Sequence, residues 1–336
     1  MKTRTIAIVG AGIAGLSCAD RLAAAGHAVR LFDKGRGPGG RMSTRRVDMG
    51  GEPVGFDHGA QYFTAREPSF RAAIEKARLA GAVERWRPRW PGGHVERDEL
   101  WVGAPGMSAF PRFLSSGIDI EYGARITRLE RGHGGWTLID DRGAGHPDFE
   151  FVVLALPAPE AAKLAAPHTP LAERVHAVPM APCWSAMVAF ARNADDAPDA
   201  GFTDDAVLPW FARNGSKPGR EAPDAWVLHA SAEFSRREID APPARVQKTL
   251  LTRLSGQLER ALPEILLADT HLWRHARVEA PLGESFLLDR SAGIGFCGDW
   301  CLDARAEAAF LSGDAIGTAL SQTRFSDSSG KMRDRR

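Results

Sequence analysis

The 336-residue sequence predicts an α/β fold in two parts. One part is a parallel sheet layered with helices, and the other is an α+β unit built on a mainly antiparallel sheet. Three observations predict it. The chain opens on a complete strand–helix–strand unit and closes on a strand–turn–helix unit, and short aromatic or alternating runs fill the stretch between.

The opening unit begins with Thr5 to Val9 (TIAIV), a short apolar run of strand character. Gly10-Ala11-Gly12-Ile13-Ala14-Gly15 follows, then the alanine- and leucine-rich segment LSCADRLAAAG, then a second apolar run, AVRLF, ending on Asp33. Each part has a physical task in holding a dinucleotide. Gly10 permits the turn, Gly12 lets a pyrophosphate approach the backbone, and Gly15 lets the helix pack on the strand. The helix N-terminus, with Ile13 and Ala14 in its first turn, offers free N–H groups and partial positive charge to phosphate. Asp33 stands where a carboxylate accepts hydrogen bonds from ribose hydroxyls. The unit is Rossmann-like.

Lys34-Gly35-Arg36-Gly37-Pro38-Gly39-Gly40-Arg41-Met42 comes next. A domain holding only NAD has no use for it, because its second strand normally passes straight into another helix. A flavin dinucleotide is longer and needs a second stretch of exposed backbone. Gly39 and Gly40 allow that approach, and Arg41 is placed to offset pyrophosphate charge. The expected cofactor is therefore FAD, bound non-covalently. The closing unit reads as a strand, AGIGFCGD, ending at Gly298 and Asp299, and a helix, RAEAAFLSGDAIGTAL, with small residues on its packing face.

With these motifs in hand, the chain resembles the FAD-dependent oxidoreductases of the amine oxidase and phytoene desaturase group. FDHGAQYFTAR (Phe56 to Arg66), WVGAPGMSAFPRFL (Trp101 to Leu114) and GFCGDWCLDARAEAAFLSGDAIGTAL (Gly295 to Leu320) narrow the resemblance to the bacterial renalase-like branch, over nearly the whole chain. The resemblance implies that Asp299 contacts the ribityl-pyrophosphate region and that the backbone of Ala306, Glu307 and Ala308 points at the pyrimidine end of the ring. It also implies that Ile126 packs on the adenine. Lys34, Met42 and Gly298 complete the expected cofactor set.

Since both ends serve one site, the FAD-binding domain is expected to be discontinuous, over 1–65, 100–160 and 280–325. A substrate domain is expected over 66–99 and 161–279, and a disordered tail over 326–336. ARITRLERGHGGWTLIDDRG reads as a hairpin turning at Gly132 to Gly135, and FVVLALP as a strand. In the substrate domain CWSAMVAFARN, VLPWFARNG, AWVLHASAEFS and THLWRHARV read as strands, and PPARVQKTLLTRLSGQLERALPE as an amphipathic helix. A sheet carrying Trp184, Trp210, Trp226 and Trp273 is placed to lie over the flavin.

With 43 basic and 42 acidic residues the chain has no general attraction for nucleic acid or membrane. It shows no apolar window long enough to span a bilayer and no secretion signal. Cys18, Cys183, Cys297 and Cys301 have neither disulfide nor zinc spacing, so no metal is expected and a cytoplasmic location is.

Absences narrow the chemistry. A second β-GxGxxG-α unit and a CxxxxC redox pair are both missing. Amine oxidases often bracket their substrate with tyrosines and carry a lysine near the flavin. This chain has only Tyr62 and Tyr122, no lysine in THLWRHARV, and Lys217 and Lys248 in a loop and a helix. The favoured expectation is oxidation of 2- or 6-dihydro-NAD(P) isomers, the reduced nicotinamide dinucleotide giving hydride to the flavin and O2 taking the electrons to give H2O2. Candidate catalytic residues are Gln61, Tyr62, His229, Arg274 and His275, with at most one of Arg274 and His275 facing the site. His58 and His94 read as structural or surface residues. The alternatives are a flavin amine oxidase or desaturase-like dehydrogenase of the same fold, and a non-catalytic FAD-binding redox sensor.

Overall fold

The computed structural model describes residues 3–92, 99–191, 196–220 and 224–322. His94 and the expected tail at 326–336 lie outside them.

Strand β1 (Thr5–Val9), helix α1 (Ile13–Ala24) and strand β2 (Ala28–Asp33) form as the sequence predicts. β1 and β2 pair in parallel with Ile6 opposite Val29 and Ile8 opposite Leu31. They lie within a six-stranded sheet. Its order is Leu287–Asp289, Ile294–Phe296, Phe151–Leu154, β1, β2 and Asp119–Tyr122. All neighbours are parallel except the first pair, which closes one edge as a hairpin. The sheet thus draws strands from the beginning, middle and end of the chain. The C-terminal helix Ala306–Ser321 packs on α1, and it comes so close at Gly313 that a Cβ there would meet the Ala14 carbonyl oxygen at 2.0 Å.

A second, five-stranded sheet is antiparallel throughout. Its order is Ala200–Phe202, Trp210–Arg213, Asp224–His229, Met180–Phe190 and Ile265–Val278. Alternation gives it two faces. Trp184, Ala186, Val188 and Phe190 pack with Trp226 and Leu228 beneath Val246, Leu250 and Leu254 of helix Pro243–Gln257. Each such buried leucine or valine contributes roughly 1.5–3 kcal/mol. From the other face Met187, Ala189, Ala225 and Val227 meet Val54 and Phe56 of strand Glu52–Phe56, which joins the sheet to the nucleotide-binding part.

Some boundaries differ from expectation. AWVLHASAEFS is strand only to His229. Ser231 then accepts the Phe234 amide and caps a helix, Ala232–Arg237. The amphipathic helix ends at Gln257, ahead of Glu259 in a left-handed conformation, so Ile265 and Leu266 begin a fourteen-residue strand. The hairpin Ile126–Gly132/Gly135–Asp140 turns where predicted. Trp184 and Trp226 face the helix, so only Trp210 and Trp273 remain on the face toward the nucleotide part.

Candidate active site

The nucleotide side is a cradle of backbone. Asp33 braces it, its carboxylate accepting from the Ala11 amide at 2.7 Å and the Gly35 amide at 2.6 Å. Each oxygen keeps a further lone pair for a ribose hydroxyl. No side chain caps α1 and no acid sits in its first turn, so the amides of Ile13, Ala14 and Gly15 are left for an anion. Nothing lies within 4 Å of where a Gly12 side chain would be, whereas a Cβ on Gly15 would be 2.0 Å from the Gly10 carbonyl oxygen. Gly12 therefore leaves space for a ligand, and Gly15 permits the turn itself.

The second glycine pair lies against the first loop. The Gly39 amide donates to the Ala11 carbonyl at 2.9 Å, and a Cβ on Gly40 would be 3.8 Å from Gly12 Cα. Gly39 and Gly40 have φ of 125° and 53°, a region that favours glycine. The two loops thus lie side by side, with Gly12 half-buried and Gly40 exposed where they meet. Met42 is buried behind them with Ile13 and Phe63.

Several predicted cofactor side chains have other partners. Arg41 gives both guanidinium ends to Asp299, at 2.6 and 2.7 Å, and also donates to the Ala276 carbonyl. The pair ties the glycine turn to the C-terminal motif, so Arg41 meets a cofactor as one half of an ion pair rather than as a lone cation. Lys34 pairs with Glu160 at 2.8 Å, drawn toward helix Ala158–Ala165. The Glu307 carboxylate is buried and accepts the Arg66 and Glu67 amides ahead of helix Pro68–Leu79. What Ala306, Glu307 and Ala308 offer a cofactor is first-turn backbone. The Gly298 amide donates to Ser312, and Ile126 is buried in the sheet core.

The segment Asp57–Tyr62 joins this cradle to the antiparallel sheet. Ala60 donates to the Arg41 carbonyl at 2.8 Å, and a Cβ on Gly59 would meet that same oxygen at 2.0 Å. The His58 carbonyl accepts from Trp273 Nε1 at 3.0 Å and from His229 Nε2 at 3.2 Å. The Gln61 amide nitrogen donates to the Asp57 and Gly59 carbonyls, and its oxygen accepts from Lys217 Nζ at 3.1 Å. With both Gln61 protons given to carbonyls, His229 is the Nε2–H tautomer and Nδ1 is its acceptor.

Asp57 is fully buried and accepts from Thr44, the Met107 amide, Arg220 and Lys217. Burial alone would raise its pKa, but Lys217 and Arg220 outweigh that and hold it at about 2. Burial pushes the histidines the other way. His229 falls to about 4, with Lys217 adding to the effect, and His58 falls to about 3, with His271 and Arg45 adding to it. Burial also lowers His271 and His275, so all four rings are neutral at neutral pH. The walls are aromatic. Tyr62 lies 5.7 Å from Trp210 and 6.3 Å from Trp86, and Trp273 packs on His58 at 4.8 Å and on His271 at 4.5 Å.

Of the predicted catalytic residues, Gln61, Tyr62 and His229 come together here. His275 lies within the register shift that follows Trp273, and it feels Glu160, Lys34 and Arg41. Arg274 does not belong with them. It points outward, 63% exposed and 4.0 Å from Asp240. His58, expected to be structural or at the surface, is buried at the hub of the chamber. Lys217 lies in a loop as predicted, yet it is fully buried on Gln61. Asp57 and His58 are visible in FDHGAQ, whereas nothing local in GSKPG marks Lys217 as buried.

The model for flavin-containing amine oxidoreductases matches residues 92–314, and that for an NAD(P)-binding Rossmann-like domain matches 8–77. The chain belongs to the flavin-containing amine oxidoreductase family. Its cofactor is FAD, and the backbone cradle fits that group. The hydroxyneurosporene desaturase of Rubrivivax gelatinosus is 48% identical over 66 residues, 20% of this chain and 12% of that one. A tRNA 5-methylaminomethyl-2-thiouridine biosynthesis bifunctional protein of Burkholderia thailandensis is 26% identical over 149 residues, 40% of this chain and 21% of the other. The matches thus span about a fifth or less of these relatives. Among solved structures, a putative protoporphyrinogen oxidase from Exiguobacterium superposes with a TM-score of 0.74 at 13% identity, over 96% of this chain and 99% of its own. Cyclohexylamine oxidase from Brevibacterium oxydans gives 0.71 at 12% identity, over 95% and 99%. At such identities the likeness shows the fold. Among the described residues no helix is long and apolar enough to cross a membrane.

Proposed function

We propose that this family member oxidises a reduced nicotinamide dinucleotide, a 2- or 6-dihydro-NAD(P) isomer, and hands the electrons to O2. FAD supplies the two-electron acceptor: the substrate loses a hydride and leaves as the aromatic nicotinamide, and O2 with two electrons and two protons becomes H2O2. The antiparallel sheet and its helices act as the substrate domain, over the FAD-binding domain built from both chain ends.

The observation that carries this reading is the charge of the chamber. Asp57 is shared by two cations, Lys217 and Arg220, while Asp299 is held by Arg41 and Asp269 by Arg45. An ammonium substrate finds no unpaired carboxylate among these, and one cation stands in excess. A neutral, electron-rich ring with anionic phosphates suits such a wall, and its oxidation needs no strong base because the hydrogen is transferred as hydride. Tyr62 and Trp210 offer flat apolar surface to the ring, and His229 Nδ1 offers an acceptor to a carboxamide N–H. The same aromatic pair is the feature that speaks for the second reading, oxidation of an uncharged amine.

Anaerobic mixing of the yellow protein with candidate substrates separates the two. Rapid bleaching of the flavin by borohydride-made NADH isomers, and not by amines, is expected. Bleaching by an amine alone overturns the proposal, and no bleaching with FAD still bound returns the protein to a binding or sensing role.

A further inference from the structure

Lys217 has no solvent-exposed side-chain surface, and its ammonium has three oxygen acceptors: Gln61 Oε1 at 3.1 Å, and Asp57 Oδ2 and Asn214 Oδ1 at 3.4 Å each. The face of Trp86 lies 5.4 Å away. The carboxylate it approaches is already held by Arg220 at 2.5 Å. Two buried cations therefore share one anion. Burial of an ion costs several kcal/mol even when it is paired, and Arg220 alone would pair Asp57. The pairing of Asp57 does not require a second positive charge at 217.

An ammonium can only donate, so Gln61 must turn its oxygen to Lys217 and its NH2 to the Asp57 and Gly59 carbonyls. Gly59 is where this segment closes on the Arg41 carbonyl, in the glycine–arginine turn of the cofactor cradle. The cation is thus one side chain removed from the wall of the flavin site.

We propose that Lys217 is a positioning residue that fixes the Gln61 amide and places an unneutralised positive charge behind the flavin wall, favouring anionic forms of the cofactor. The inference does not depend on which substrate is oxidised. The ionisable groups facing Lys217 are Asp57, Arg220 and His229. Burial lowers the lysine to about 8, with Asp57 resisting, so it remains protonated at neutral pH, while His229 is uncharged there.

Sulfite adds to oxidised flavin and leaves the adduct negatively charged, so its affinity for the holoenzyme reports the local field without substrate turnover. Lys217→Met is expected to weaken sulfite binding about tenfold. If anionic reduced flavin is disfavoured equally, the two-electron midpoint potential falls by about 30 mV. Lys217→Arg keeps the charge and is expected to stay near the parent in both. Arg220 still pairs Asp57 in Lys217→Met, but Gln61 Oε1 and Asn214 Oδ1 lose their donor, so a lower melting temperature is expected beside the change in sulfite affinity. Unchanged sulfite affinity and potential overturn the proposal, and a stability loss alone assigns Lys217 to the fold. If Lys217→Met does not retain FAD, Lys217→Gln repeats the charge test. It is neutral yet still donates to Gln61, and unchanged sulfite affinity there overturns the proposal equally.

Discussion

The cofactor cradle and the chamber over it are built from different materials. The cradle is backbone: the amides after Gly12, the turn at Gly39 and Gly40, and the first turn of the C-terminal helix, braced by Asp33. The chamber is side chains converging from well-separated stretches: Gln61 and Tyr62, Trp86, Trp210, Lys217, His229 and Trp273. Cofactor binding therefore rests on local chain geometry, whereas the substrate side depends on long-range packing. Substitutions should divide accordingly, with a loss of FAD on one side and altered chemistry with FAD retained on the other.

The largest effect is expected at Gly15. Even a single methyl group there would sit 2.0 Å from the Gly10 carbonyl oxygen, which is main chain and cannot swing away. Gly15→Val should yield protein without bound flavin, or none that folds, as read from the ratio of 450 nm to 280 nm absorbance. Near-stoichiometric FAD in that variant would break the claim that backbone geometry governs the cradle.

Asp57 tests the opposite side. Asp57→Asn keeps the shape but removes the charge that pairs Lys217 and Arg220, leaving two buried cations without an anion. Breaking a buried pair in this way costs about 3–5 kcal/mol. A comparable loss is expected in urea unfolding of the holoprotein. A loss under about 1 kcal/mol would mean that the network is solvated and that its charge count carries no weight for substrate choice.

The same division explains how much was legible in the sequence. The β1–α1–β2 unit, the second glycine pair and the C-terminal motif could be read because each task falls to residues close in the chain, and α/β topology does the rest. Gln61, Tyr62 and His229 were within reach because a motif or an alternating strand exposes them. Lys217 was not. A lysine between Ser216 and Pro218 in a loop has the local character of a solvated side chain, and only tertiary packing shows that it is buried on Gln61. The pairing of Arg41 with Asp299 was hidden for the related reason that the two are remote in sequence.

A smaller effect follows from the neutral histidines. The unfolded chain binds protons on His58 and His229 near pH 6.5, whereas the folded chain resists until about 3 and about 4. Across that window the unfolded state holds more protons, so stability falls as pH drops from about 6.5 toward 4. The Asp57 contribution is lost lower still, as pH falls from the ordinary aspartate range toward 2. Urea midpoints measured every half pH unit should show the upper slope, and His58→Phe should flatten it. An equal slope in His58→Phe would mean that this ring is protonated in the fold.

The smallest effect is expected at Arg274, where the chamber's boundary is drawn. Trp273 is fixed on one face of its strand by its bond to the His58 carbonyl, and Leu272 packs against the core on the helix side. Arg274, next along the strand, is largely exposed and only loosely paired with Asp240. Arg274→Ala should change stability by no more than about 0.5 kcal/mol. It should leave kcat/KM within about twofold of the parent, because an exposed, screened charge contributes little to a site it does not face. A tenfold fall in kcat/KM with normal FAD content would place Arg274 among the substrate contacts.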